Sequence, residues 1–191
     1  MKNRKTNRLK NFDYSQNGMY FVTICTKNRE HYFGEIKNGT MILNELGKIV
    51  SKNLQEIPNY FQNIFLDKYI IMPNHVHLII EINNNIVGAD LVSAQKQKIQ
   101  NYGQTRGLSL QNISNIGLLS RIIQSFKSRS SVEYIKSMDL KNQSCLTKIW
   151  QRSFYDHIIR NEIELNKIRE YIISNPKMWE QDRNNIENIL M

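Results

Sequence analysis

Cysteine is nearly missing from this chain: Cys25 and Cys145 are its two thiols in 191 residues. Two are too few for a disulfide framework or a thiolate zinc site, and they read as packed thiols in a reducing cytoplasm. Proline and glycine are scarce as well, at three and eight residues, which argues against long disordered or collagen-like stretches. No apolar run approaches the roughly 20 residues that a membrane-crossing helix needs. The basic start of the chain is followed by Asn11 to Tyr14 and not by an apolar signal core, so no secretory leader is expected. A soluble, cytoplasmic protein without a membrane partner follows. Acid is the last shortage: 17 Asp and Glu stand against 26 Lys and Arg, a formal net charge of +9.

Apolar residues make up 40% of the chain and charged residues 23%, the proportions of a soluble globular protein. The length suits one domain over residues 1–191, with a core large enough to fold alone, a basic lead-in over 1–17 and a polar tail over 177–191. The cationic surplus favours a polyanionic partner, most often nucleic acid. Lys2, Arg4, Lys5, Arg8 and Lys10 fall within the first ten residues with no acid among them. That stretch is either an arm that contacts phosphates or a solvated tail that aids solubility.

Met19 to Thr26 is β-branched and aromatic, hence a strand. Tyr32 to Leu43 holds two short runs around Lys37-Asn38-Gly39, where Asn-Gly suits a tight hairpin turn. Asn44 can cap a helix with Leu46, Ile49, Val50, Leu54 and Ile57 at helical spacing and Pro58 near its end. Strands are predicted over Ile64–Met72 and His75–Ile82, joined through Pro73-Asn74. Residues 83–112 are a long polar connection, a length that hints at function or mobility. Ser114 could cap a helix presenting Ile116, Leu119, Ile123 and Phe126. After a loop over 138–147, Lys148 to Arg160 reads as extended. Asn161 with Glu164 resembles a capping box and opens a helix to about Ser174, with Leu165, Ile168 and Ile172 facing inward and Pro176 beyond its end. Short antiparallel strands mixed with helices in this order suggest an α+β domain of the ferredoxin-like, split βαβ kind, with an antiparallel central sheet.

The chemistry centres on His75-Val76-His77. On a strand, residues two apart share a face, so His75, His77, Ile79 and Glu81 point one way and Val76, Leu78, Ile80 and Ile82 the other. Alternate Cα positions lie about 7 Å apart, close enough for two imidazoles to reach one cation; the plainer alternative is a pair of ordinary histidines at the edge of a core. A third ligand could come from the helix after Asn161, where Tyr171 and Asn175 are four residues apart and lie on one face. Nitrogen-and-oxygen ligation of that kind suits Mg²⁺ or Mn²⁺. Alternatively Tyr171 packs at the core margin and Asn175 merely ends the helix.

Three segments, IMPNHVHLII (71–80), IWQRSFYDHIIRNEIELNKIREYIISNP (149–176) and, more loosely, SRIIQSFKSR (120–129), together with MYFVTICTKNRE near the start, resemble the HUH-type single-tyrosine transposases. The likeness is to the IS200-like family, in particular its REP-associated branch, and spans roughly residues 14–180. It implies that His75 and His77 bind a divalent metal, that Asn175 is the third protein ligand, and that Tyr171 is the nucleophile. The implied reaction is cleavage of single-stranded or hairpin DNA through a 5′-phosphotyrosine link, with rejoining by a 3′-hydroxyl and a homodimer as one possible state.

A phenol has a pKa near 10 and is a poor nucleophile at neutral pH. A divalent ion on the scissile phosphate offsets that weakness. No Walker-type phosphate loop occurs, and a transesterification needs none. Tyr155 and Tyr134 are rival nucleophiles, Tyr155 ranking below Tyr171 because it has no partner four residues on. Lys127, Arg129 and Arg152 are candidate phosphate contacts, His157 is either a DNA contact or a core hydrogen-bonding group, and Trp150 and Phe154 could stack on unpaired bases or belong to the core. A non-catalytic hairpin-binding module of the same shape is the alternative from another class. A replication-initiator or conjugation-type HUH nickase is disfavoured by the short chain and late Tyr171.

Overall fold

The computed structural model describes residues 16–84, 117–138, 148–182 and 184–185. Six strands and four helices are formed among them: β1 (Gly18–Cys25), β2 (Gly34–Lys37), β3 (Thr40–Leu43), α1 (Glu45–Gln55), α2 (Ile57–Tyr60), β4 (Ile64–Met72), β5 (His75–Ile82), α3 (Leu118–Ser137), β6 (Tyr155–Ile159) and α4 (Glu162–Ser174). The main sheet has the order β4-β5-β1-β6, and every neighbouring pair is antiparallel. The β1–α1–β4 crossover is therefore split by β5, and the β5–α3–β6 crossover by β1. This is the expected split βαβ arrangement.

Alternation along the central strands gives the sheet two different faces. Tyr20, Val22 and Ile24 of β1 and Val76, Leu78, Ile80 and Ile82 of β5 are buried against Leu46, Val50 and Leu54 of α1 and Leu119, Ile122, Ile123 and Phe126 of α3. On the opposite face a smaller cluster joins Phe21, Ile79 and Ile159 to Leu165 and Ile172 of α4. Two helices thus cover one side of the sheet and one helix the other. The pattern of β4 would break this order, because its face changes in mid-strand. A β-bulge between Leu66 and Tyr69 sets two residues opposite one of β5, which restores Tyr69 to the side of Leu66.

Local chemistry accounts for the boundaries. Asn38 and Gly39 have φ of 51° and 69°, the left-handed pair that closes the β2–β3 hairpin with the twist of its strands. Asn44 caps α1 by accepting from the Gly47 amide at 2.9 Å. Gly47 has no room for a side chain: a Cβ there would lie 2.2 Å from the Phe33 carbonyl oxygen.

Several expectations need correction. The first helix stops before Ile57: α1 ends at Gln55, and Ile57 and Pro58 open the separate α2, where the missing proline amide costs no hydrogen bond. Ser114, the expected cap, lies outside the described residues, as do Cys145 and the 85–112 part of the long connection; the described α3 begins at Leu118. Asn161 caps α4 through the Glu164 amide at 2.9 Å. The capping box is displaced by one residue, however, because Glu164 reaches the Arg160 amide at 2.8 Å and not that of Asn161. Where the polar tail is described, Trp179–Gln181 forms a 3₁₀ turn, and Asp182, Asn184 and Asn185 are buried.

Candidate active site

The face of the sheet under α4 carries Phe21, Thr23 and Cys25 from β1 beside His75 and His77 from β5, with Cys25 opposite His75 and Thr23 opposite His77 in register. Both histidines are fully buried. Their Nε2 atoms approach to 2.9 Å and their ring centroids to 4.4 Å. Burial does not bring them into the apolar interior, because each outer ring nitrogen has a polar neighbour. His77 Nδ1 is 2.9 Å from the Thr23 hydroxyl, and His75 Nδ1 is 2.8 Å from the Asn74 amide oxygen.

Tyr171 comes to this pair from α4. Its hydroxyl lies 3.2 Å from His77 Nε2, while 40% of the residue remains exposed. Phe21 forms the floor, stacked on His77 at 5.3 Å and edge-on to Tyr171 at 6.1 Å between centroids. Placement follows from the helix repeat: Leu165 and Ile172 dock α4 on Phe21 and Ile79, and Tyr171 precedes Ile172 at the margin of that contact. Arg169, two residues earlier, ties the helix to the β4 bulge by pairing with Asp67, Nε to Oδ1 at 2.9 Å and Nη2 to Oδ2. The Arg169 guanidinium accordingly holds the Asp67 carboxyl below its ordinary range.

The sequence reading missed Asp182. Its Oδ2 is 4.0 Å from His75 Nε2, and donor atoms of His75, His77 and Asp182 all lie within 4.8 Å of one another. The 3₁₀ turn Trp179–Gln181 returns the chain to the sheet, with the Trp179 ring over His75 at 6.1 Å. Asn184 then donates its amide to Asp182 Oδ1 at 2.6 Å. Asn175, the expected third ligand, is 2% exposed, and its Oδ1 has no hydrogen-bond partner among the described residues. A buried amide oxygen without a donor is costly. Two imidazole nitrogens facing each other and a carboxylate beside them are what a borderline divalent cation takes as ligands, so His75, His77 and Asp182 fit a metal ion.

The candidate DNA contacts are placed as follows. Lys2, Arg4, Lys5 and Arg8 lie outside the described residues. Lys127 is not at the open surface: its ammonium donates to the carbonyls of Gln151 and Ser153 at 2.9 and 3.1 Å, and burial pushes its pKa down to about 8. Arg129 lies over the Tyr60 ring, 3.3 Å from the centroid. Trp150 packs between Phe33 and Phe126 and donates its indole N–H to Ser130 at 3.1 Å. Phe154 borders the same core. His157 pairs with Glu164 at 2.7 Å, and Arg152 is exposed. Of the rival tyrosines, Tyr155 stands opposite Thr23 on β6, and Tyr134 packs against the core on the far face of the sheet.

No protein-family model matches the chain. It is 38% identical over 180 residues to an uncharacterized protein of Haemophilus influenzae, an alignment that covers 94% of this chain and 92% of that one. Among solved structures it is similar to a REP-associated tyrosine transposase bound to a REP hairpin. That likeness has a TM-score of 0.55 at 14% identity and covers 88% of this chain and 72% of the other; the fold is shared.

Proposed function

We propose, from the premise that the chain belongs to the same family as the Haemophilus influenzae protein and has the fold of the hairpin-bound tyrosine transposase, that it is a single-tyrosine DNA transposase of the IS200-like, REP-associated type. The observation that carries this reading is the phenol of Tyr171, 3.2 Å from one of two buried imidazoles whose Nε2 atoms converge. The substrate is single-stranded or hairpin DNA, in keeping with a formal charge of +9.

In this reading His75, His77 and Asp182 hold a divalent ion, Mg²⁺ or Mn²⁺, with the Asn175 amide oxygen as a further donor. Such an ion, when bound, supplies Lewis-acid stabilisation of the charge that develops on the scissile phosphate. The chain's own residues do the rest. Tyr171 Oη forms the new bond to phosphorus, and the bond to the 3′-oxygen breaks. The phenolic proton passes to solvent at the exposed edge of the ring, and the departing 3′-oxygen takes one up. The product is a 5′-phosphotyrosine and a free 3′-hydroxyl, and attack by a 3′-hydroxyl reverses the step. Phe21 and the docked turn of α4 keep the phenol aimed, so that the attack is effectively unimolecular.

The test is incubation with single-stranded hairpin oligonucleotides and Mn²⁺ or Mg²⁺, scored for a slow-migrating covalent species. Wild type gives the adduct, mapped to Tyr171. Tyr171→Phe gives none yet still binds the hairpin, and His75→Ala with His77→Ala removes ion-dependent nicking. Adducts from Tyr171→Phe would reject the nucleophile, and hairpin binding without nicking by wild type under either ion would leave a non-catalytic binding module.

A further inference from the structure

Asn74 is wholly buried in the turn between β4 and β5, and its amide has one possible orientation. The nitrogen Nδ2 is 3.0 Å from the Arg29 carbonyl oxygen and 2.7 Å from the Asn184 carbonyl oxygen. Both neighbours only accept, so the donor end of the amide must face them. The other end, Oδ1, can only accept, and it faces His75 Nδ1 at 2.8 Å. His75 must therefore carry its ring hydrogen on Nδ1, which leaves Nε2 as a bare lone pair directed at His77 and Asp182. The same amide anchors the segment that brings Asp182 in, because Asn184 offers its carbonyl to Asn74 and its N–H to Asp182 Oδ1. The Asn74 backbone is held in turn, its carbonyl accepting from the Thr26 amide at 2.8 Å and hydroxyl at 3.0 Å.

From this geometry we infer that Asn74 is the positioning residue of the site: one side chain fixes the His75 tautomer competent to bind a cation and seats the Asp182 carboxylate beside it. The inference rests on the metal reading of the same site, and Asn74 itself touches neither ion nor DNA. His77 differs, because its Nδ1 partner is the Thr23 hydroxyl, which donates or accepts. With no cation between them, His77 holds its hydrogen on Nε2 and donates it to the bare His75 Nε2 at 2.9 Å. Because the Thr23 hydroxyl can accept as well as donate, that hydrogen can shift to Nδ1 when a cation takes its place, whereas His75 is committed in advance.

The experiment uses the full chain labelled with ¹⁵N in its histidine rings. Long-range proton–nitrogen correlation distinguishes a protonated ring nitrogen from a bare one, and it needs no metal. Mn²⁺ titration measures binding in parallel. Wild type is expected to show His75 protonated at Nδ1. Asn74→Asp keeps an acceptor for that hydrogen and loses both donors, so the tautomer persists while Mn²⁺ binding weakens about 10- to 100-fold, the usual cost of losing such a support. Asn74→Leu loses the tautomer preference as well. A wild-type His75 protonated at Nε2, or unchanged Mn²⁺ binding by Asn74→Asp, overturns the inference while the metal reading stands. If wild type binds no Mn²⁺, the metal reading fails, and the His75 spectrum alone then upholds or overturns the orienting role of Asn74.

Discussion

Lys127 shows what one side chain does at a distance from the reacting groups. Its ammonium holds two carbonyls of the segment leading into β6, and with it the approach of Trp150 to Thr26. Burial lowers its pKa to about 8 from the 10.5 of a solvated lysine. Between those values the unfolded chain binds more protons at this position than the folded one, so the contribution of Lys127 to stability grows as pH rises through that window. Below about pH 8 both states are protonated, and the burial penalty is fully present. Replacing Lys127 by Met removes the titration. Urea unfolding midpoints at pH 8 and pH 10 should rise less, or fall more, in Lys127→Met than in wild type; an identical pH trend in the two proteins would contradict the assignment.

At the scale of elements, α4 is aimed by a pair of contacts at either side of Tyr171: the apolar docking of Leu165 and Ile172, and the two-pronged Arg169–Asp67 ion pair. Asp67 sits where the β4 bulge begins, so an irregularity in the sheet sets the azimuth of the helix. Asp67→Ala is expected to lower the rate of adduct formation by up to about 100-fold, because small misplacements of a reacting atom cost that much, while hairpin affinity changes little. Equal losses in rate and affinity would show that the pair serves general stability instead. Elements of this kind are unevenly legible in a sequence. Asn38-Gly39, the caps Asn44 and Asn161, and the alternation of His75 to Ile82 are local signals, and each forms as its chemistry dictates. The bulge is not announced in IFLDKYIIM, where the charged pair Asp67-Lys68 stands between two apolar runs with no glycine to mark it. Nor does the sequence announce that Glu164 reaches the Arg160 amide with one carboxylate oxygen while the other meets His157.

For the whole molecule, the hidden part of the site is what the chain assembles between stretches far apart in sequence. Asn74 and Asn184 meet across 110 positions, and Asp182 reaches His75 from a stretch with no apolar periodicity. No local pattern could have announced either contact, whereas His75, His77 and Tyr171 were recoverable because strand and helix repeats fix their faces. The charge of +9 bears on the complete protein as well. If Lys2, Arg4, Lys5 and Arg8 form a phosphate-binding arm, replacing them by Gln should flatten the salt dependence of hairpin binding. The loss is about 0.7–0.9 in the slope of log K against log salt for each phosphate contact removed. A slope that does not change would set the arm aside as a solubilising lead-in.

The two faces of the sheet also differ in how much they hold. Beneath α1 and α3 lies a continuous apolar mass, whereas α4 rests on a handful of side chains. Local release of an element costs free energy in proportion to what it buries. Tyr171, the nucleophile we propose, therefore rides on a helix that detaches more cheaply than α1 or α3, while the imidazoles stay with the sheet.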